Sequence, residues 1–191
     1  MIKNKIWMII VILTVIAISI LTRYYGSTDI ADYSDPSKFF AGIYSADIRS
    51  SHSYLYGAIH ALPTLLFGSF FFFKITSIIL LSGIVYSVYI ATNRDRKSFL
   101  LILFSPVVWY MAPWISPIQG ASLCFFWAYY FIKSYNEEGK ILHIVYSGLL
   151  TGLGIALWDT IIFFAGFMFI VFMWNKKFSH SVILIAFIFL G

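Results

Sequence analysis

The sequence predicts an all-α, polytopic transmembrane helical bundle with an outer loop and an interfacial helix after the first span. Three observations carry that expectation. The chain is 61% hydrophobic and only 11% charged, whereas a soluble domain of this size carries about a quarter charged residues. Its apolar residues gather in long runs rather than in the two-residue alternation of a membrane barrel. Lipid cannot satisfy backbone N–H and C=O groups, so a run of this kind must close its hydrogen bonds internally as a helix. The chain is also rich in aromatics, with 20 Phe, 13 Tyr and 6 Trp.

Residues 1–191 read as a single transmembrane domain. The first element is the apolar run at about 6–22. At 17 residues it is longer than a signal-peptide core, and no small-x-small cleavage site follows, so it reads as a retained span. Residues 23–73 form the outer acidic loop and the interfacial segment. Further spans are expected at about 75–92, 98–113, 118–134, 141–157, 160–174 and 179–191. Asn93–Lys97, Lys133–Lys140 and Asn175–Lys177 are the polar clusters between them. Several runs fall short of the ~20 residues that cross a bilayer, so their ends are expected to reach into the loops.

The positive-inside rule orients this set. With Lys3 and Lys5 cytoplasmic and each run crossing once, Arg94, Arg96, Lys97, Lys133, Lys140, Lys176 and Lys177 are cytoplasmic too. That places nine of the thirteen Lys and Arg residues on one side. The acidic loop, the Met111–Gln119 turn and the Trp158-Asp159 turn share the outer side. The scheme requires that Ser53–Phe73, with Gly57, His60, Pro63 and Gly68, lies as a broken interfacial or re-entrant helix instead of crossing. The expected location is therefore the cell membrane, multi-pass, with the lipid bilayer as a partner.

The net charge of +5 is spread over loops, so no nucleic-acid partner is expected. Cys124 is the single cysteine, which excludes an internal disulfide. Gly148-xxx-Gly152, with Gly154, is a small-residue face on which helices can approach closely. Ser179–Gly191 is short for a span, and the expectation is that the 191 residues are the front part of a longer protein.

Chemistry concentrates in the loop. Four of the eight acids, namely Asp29, Asp32, Asp35 and Asp47, lie between Tyr24 and Tyr54. Asp29, Asp32 and Asp35 recur at i, i+3 and i+6, which places them on one side of a helical turn. Close carboxylates repel unless a proton or cation sits between them. Asp29 and Asp32 are thus the catalytic candidates, one as general base, and also the candidate ligands of Mg²⁺ or Mn²⁺. Asp35-Pro36 reads as a helix start, with Asp35 as N-cap and Pro36 in the first turn. Arg49 and His52 are candidates for an anionic ligand's phosphate, and Tyr54 and Tyr56 for an interfacial aromatic belt. His60 reads as either a satisfied interfacial histidine or a ligand. In the turn Ala112–Gln119, Ser116 and Gln119 are hydrogen-bonding candidates for a second wall, or parts of a proline helix stop. Asp159 is the only acid amid the last three runs; it is a functional group at membrane depth, a surface residue or an N-cap. The HExxH, CxxC, Walker, GxSxG and dinucleotide signatures are absent.

This arrangement of one span, an outer acidic loop and further spans resembles the GT-C superfamily of membrane glycosyltransferases that use polyprenyl-phosphate sugars. The nearest likeness is to the first mannosyltransferase group of GPI-anchor assembly. Thr28-Asp29-Ile30-Ala31-Asp32-Tyr33, followed by Asp35-Pro36-Ser37-Lys38-Phe39-Phe40, is similar to that group's first-loop pattern. His52–Tyr56, Ala61-Leu62-Pro63, Phe67-Gly68, Phe104-Ser105-Pro106 and Gly148–Leu153 continue the likeness. Where the group carries an acid in the second outer turn, this chain has Ser116-Pro117-Ile118-Gln119. The resemblance implies inverting transfer of a hexose from a polyprenyl-phosphate-linked sugar donor to a glycan, lipid or protein acceptor. By the same likeness Asp29 is the first choice as base, with Asp32 next, and Arg49, His52, Tyr54, Ser116 and Gln119 serve the substrates. Two other readings stay open: a transporter or flippase-like multi-pass protein, and a non-catalytic, truncated piece of a transferase.

Overall fold

A computed structural model describes residues 2–22, 30–43, 54–68, 71–92, 95–103, 114–174 and 178–191. Among these residues the architecture is all-helical, with no strand. In chain order the helices are α1 (Ile2–Leu21), α2 (Ile30–Phe40), α3 (Tyr54–Phe67), α4 (Phe71–Ala91) and α5 (Arg96–Leu103). They continue with α6 (Ile118–Glu138), α7 (Ile141–Leu157), a 3₁₀ turn (Asp159–Ile161), α8 (Ile162–Trp174) and α9 (Phe178–Ile188). Among the described residues one helix, α4, is long and apolar enough to cross a membrane; α3, α7 and α9 are apolar but shorter.

Side-chain contacts fix the helix directions. The Arg96 guanidinium lies 4.6 Å over the Trp7 ring, a cation–π contact. Val11, Val85, Tyr89 and Phe99 form one buried cluster. At the far end of the same pair, the Lys74 ammonium reaches the carbonyls of Ser19, at 2.7 Å, and Thr22. Helices α1 and α4 are therefore antiparallel. Gly83 faces Leu123 and Gly120 faces Leu80, so α6 runs parallel to α4. Gly120 also meets Leu157, and Gly154 meets Cys124, which sets α7 antiparallel to α6. Ring pairs Phe125–Phe164 and Tyr135–Phe172 run α8 parallel to α6.

The bundle thus has two ends. Lys5, Arg96, Lys97 and Lys140 collect at one, the basic end. The other, here the loop end, gathers the close of α1, helices α2 and α3, the Trp114–Gln119 turn and Trp158-Asp159. The α7–α9 pair shows what the small-residue face does. A Cβ on Gly148 would lie 2.7 Å from Phe187 Cβ and 2.8 Å from the Leu184 carbonyl oxygen, and one on Gly152 would overlap the Ile188 carbonyl oxygen. Helix packing is the use of these glycines.

One local expectation needs correction, and two are placed more closely. Pro36 does not open a helix, and Asp35 is not its N-cap: α2 starts at Ile30 and passes through Pro36. The proline ring is fully buried against Gly57, whose missing side chain leaves room for it. Beside it the Ser37 hydroxyl donates to the Ser34 carbonyl at 2.7 Å. Within the Ser53–Phe73 segment α3 continues through Gly57, His60 and Pro63. The interruption comes at Gly68, at φ +60°, a conformation that favours glycine. Finally, the expected run 98–113 is helical from Arg96 to Leu103, and 104–113 lies outside the described residues.

Helix α2 stops where its sequence says it should. Gly42 sits at φ +71°, with Gly42 N–H donating to Phe39 and Ile43 N–H to Lys38. This double bond pattern is a Schellman cap.

Candidate functional site

Helices α2 and α3 pack against each other and cover the loop end. Its core contains Tyr33, Tyr56, Phe73, Ile115 and Leu157, with Trp158 packed alongside. Tyr33 stands edge-on to both Tyr56 and Trp158, at 6.3 and 6.2 Å between ring centroids. The contacts of α3 with α4 fall on the first turns of α4: Phe67 on Phe72, and His60 on Phe73 and Thr76.

His60 is a structural staple here. It is 1% exposed and stacks on Phe73 at 4.1 Å and 9°. A carbonyl can only accept, so Nδ1–H donates to the Tyr56 carbonyl at 2.7 Å. In the neutral ring Nε2 then accepts from the Thr76 hydroxyl at 2.8 Å. Of the two sequence readings, satisfied histidine is the one this geometry favours. Thr64 joins the pair by donating to Ser37 Oγ at 3.2 Å.

Beside this staple lies a cleft of about 510 Å³ lined by Phe40, Tyr54, Leu55, Ala58, Ile155, Ala156 and Asp159. It is apolar except for the Tyr54 hydroxyl and the Asp159 carboxylate. Ile155 and Ala156 also line a second cavity, a groove of about 480 Å³ between α7, α8 and α9 with Ile162, Phe169, Ile185 and Phe189 on its walls. The two spaces therefore share a wall: one has a polar mouth, the other is oily along its length.

The candidates read from sequence fall differently about this cleft. Tyr54 lines it and is 44% exposed. Asp32 lies in the first turn of α2, a helix that also carries Phe40, but its side chain is not among those described. Asp29, Arg49 and His52 lie outside the described residues. Ser116 and Gln119 are brought to the loop end but not to the cleft. They are 1% and 2% exposed and bond to their own turn. Ser116 Oγ accepts from Ile118 N–H at 3.2 Å, and Gln119 Nε2 donates to the Trp114 carbonyl at 3.4 Å. The Ser116 bond satisfies one N–H of a helix start that Pro117 does not cap.

Of the three readings the sequence left open for Asp159, the structure supports a functional position: among the described residues it is the one carboxylate lining the cleft, placed there because the chain turns at Trp158 between α7 and α8. One residue stands out that sequence reasoning did not assign. Lys74 is 8% exposed and holds the last carbonyls of α1, where a cation complements the helix dipole. A lone lysine inside the apolar run Phe70–Leu81 is the signal that would have found it.

Among the described residues, no three His, Cys, Asp or Glu side chains come together as a metal site. Comparison with known proteins finds no matching family model, curated protein or solved structure.

Proposed function

We propose that the chain is a multi-pass membrane glycosyltransferase, moving a mannose-like hexose from a polyprenyl-phosphate donor to a lipid, glycan or protein hydroxyl. The observation that carries this reading is the wall shared by the cleft and the groove. A ligand with a polyhydroxylated head and a long hydrocarbon tail matches two such adjoining spaces. The head would meet Tyr54 and Asp159, and the tail would lie along Ile155 and the α8–α9 groove. The resemblance described above supplies the reaction class.

The two-ended charge distribution supports a cytoplasmic N-terminus with the loop end outside. Phe163, Phe167, Ile170 and Trp174 are exposed along α8, and apolar surface on that scale belongs against lipid. Helices of 17 residues such as α7 are ~25 Å long and need only their flanking turns to complete a ~30 Å crossing.

In this reading the acceptor oxygen attacks the sugar's anomeric carbon as the bond from that carbon to the donor phosphate breaks. The acceptor proton passes to Asp29, or to Asp32, and the polyprenyl phosphate leaves with the bonding electrons. Arg49 and His52 hold that phosphate. Tyr54 packs on the sugar, Asp159 accepts from its hydroxyls, and Ser116 and Gln119 support the wall from beneath. Asp29 and Asp32 would supply carboxylate oxygens to Mg²⁺ or Mn²⁺.

The test is transfer of radiolabelled mannose from polyprenyl-phosphate mannose in membranes carrying the full chain. Asp29→Asn with Asp32→Asn should abolish the labelled product. Unimpaired transfer by that double variant would end the proposal. Donor counterflow with no covalent product would instead favour a transporter. Ile155→Trp should raise KM for a long-chain donor and spare a donor with a short prenyl group.

A further inference from the structure

A second polar cavity lies at the basic end, far from the loop-end cleft and independent of the transferase reading. It measures about 530 Å³ and opens between the last turn of α4, at Ile90 and Ala91, and one stripe of α6. That volume is in the range of small-ligand sites. The stripe is Phe126, Tyr129, Tyr130, Lys133, Ser134 and Glu137, spaced at i, i+3, i+4, i+7, i+8 and i+11. It covers ~16 Å along the helix axis and changes character steadily, from a bare aromatic ring, through phenols, to a lysine, a hydroxyl and a glutamate.

Lys133 and Glu137 are a helical turn apart on the same wall. Among the described residues no ion pair joins them; the acid that Lys140 takes, at 2.6 Å, is Glu138. Among the described residues the cavity thus presents one separated cation and one anion, and its other side is the carbonyl end of α4, which favours a positive group. We propose that this cavity binds the headgroup of a zwitterionic phospholipid of the phosphoethanolamine class. The phosphate takes the Lys133 ammonium and the Ser134 hydroxyl as donors, in charge-assisted bonds. The lipid's primary ammonium donates to the Glu137 carboxylate, with the end of α4 behind it. Its acyl chains continue past Tyr129 and Phe126 toward the middle of the bundle.

The selectivity follows from the same groups. An anionic glycerol headgroup leaves Glu137 facing a net negative charge. A choline headgroup has no N–H to donate to it.

The full chain, purified in a neutral detergent, is examined by native mass spectrometry with phosphatidylethanolamine, phosphatidylglycerol and phosphatidylcholine of identical acyl chains. The ethanolamine lipid should be retained roughly tenfold over the other two, the ratio set by one lost charged contact. Lys133→Gln with Glu137→Gln should erase that preference at unchanged helix content. Ala91→Trp, which fills the cavity from the α4 side, should reduce retention of the ethanolamine lipid while leaving both charges in place. Equal retention of the three lipids, preference for the glycerol lipid, or a preference that survives the double variant overturns the proposal.

Discussion

Replacing Gly57 by alanine should dislodge the cover of the loop end. A Cβ at this position would overlap Pro36 Cβ, and would lie 2.9 Å from the Pro36 carbonyl carbon and 3.0 Å from the Ser37 nitrogen. Two of the three atoms are backbone, and the third belongs to a rigid ring, so no side-chain rotation relieves the overlap. Helix α2 must move away from α3, loosening the Thr64–Ser37 hydrogen bond and the Tyr33–Tyr56 contact. Overpacking of this kind costs ~1–3 kcal/mol. For a chain of this length each kcal/mol lowers Tm by ~2–4 °C. The assay is thermal unfolding of the purified chain in detergent, with Gly166→Ala as control. Nothing lies within 4 Å of a Cβ at Gly166, so there alanine should be neutral or add up to ~1 kcal/mol through helix propensity. If Gly57→Ala unfolds with the wild type while Gly166→Ala behaves as expected, α2 does not pack on α3 as described.

Four further outcomes are expected. His60→Ala should cost ~2–4 kcal/mol, because it removes a stacked ring and two hydrogen bonds, and His60→Gln should restore part of it in the same melt. Lys74→Met should lower stability by ~1–3 kcal/mol by leaving the Ser19 and Thr22 carbonyls without their cation, and Lys74→Arg should recover some of the loss. Gly152→Val should separate α9 from α7, read as a lower Tm and faster proteolysis after α8, with no comparable effect from Gly166→Val. The Lys140 ammonium holds the Glu138 carboxyl below its ordinary value. Any stability from this pair is therefore present above the unfolded-state pKa and lost as pH falls through the folded one. Lys140→Ala should raise the Glu138 titration midpoint, as followed by carboxyl NMR.

Much of the helical framework was legible because its boundaries are chemical. The polar cluster ending at Lys140 and the Trp158-Asp159 turn bracket residues 141–157 from both sides, and α7 is Ile141–Leu157, with Gly139 at φ +71° before it and an extended Trp158 after it. The α6 start at Ile118 follows Pro117 for the same kind of reason. The Asp35-Pro36 misreading shows where such local rules stop. Capping preferences describe an isolated helix end, whereas Pro36 is tolerated inside α2 because Gly57 of another helix receives its ring. Ser116 and Gln119 looked like ligand groups from their polarity and turn position. Their bonds return to the turn itself, and only coordinates can show where a hydroxyl or amide is directed.

The sequence by itself determined that this chain is helical, that it is too oily for an ordinary soluble domain, and that its charges segregate between turns. Those properties follow from composition and from short-range periodicity. The tertiary structure alone decided that α1 and α4 are antiparallel, that His60 staples α3 to α4, and that a cleft carrying Tyr54 and Asp159 shares a wall with an apolar groove. Tyr54 and Asp159 are more than a hundred positions apart, and Ile155 faces both spaces only because α7 ends between α3 and α8. Such juxtapositions arise from how glycines, rings and buried polar groups fit across helices, and no local stretch of sequence contains that information.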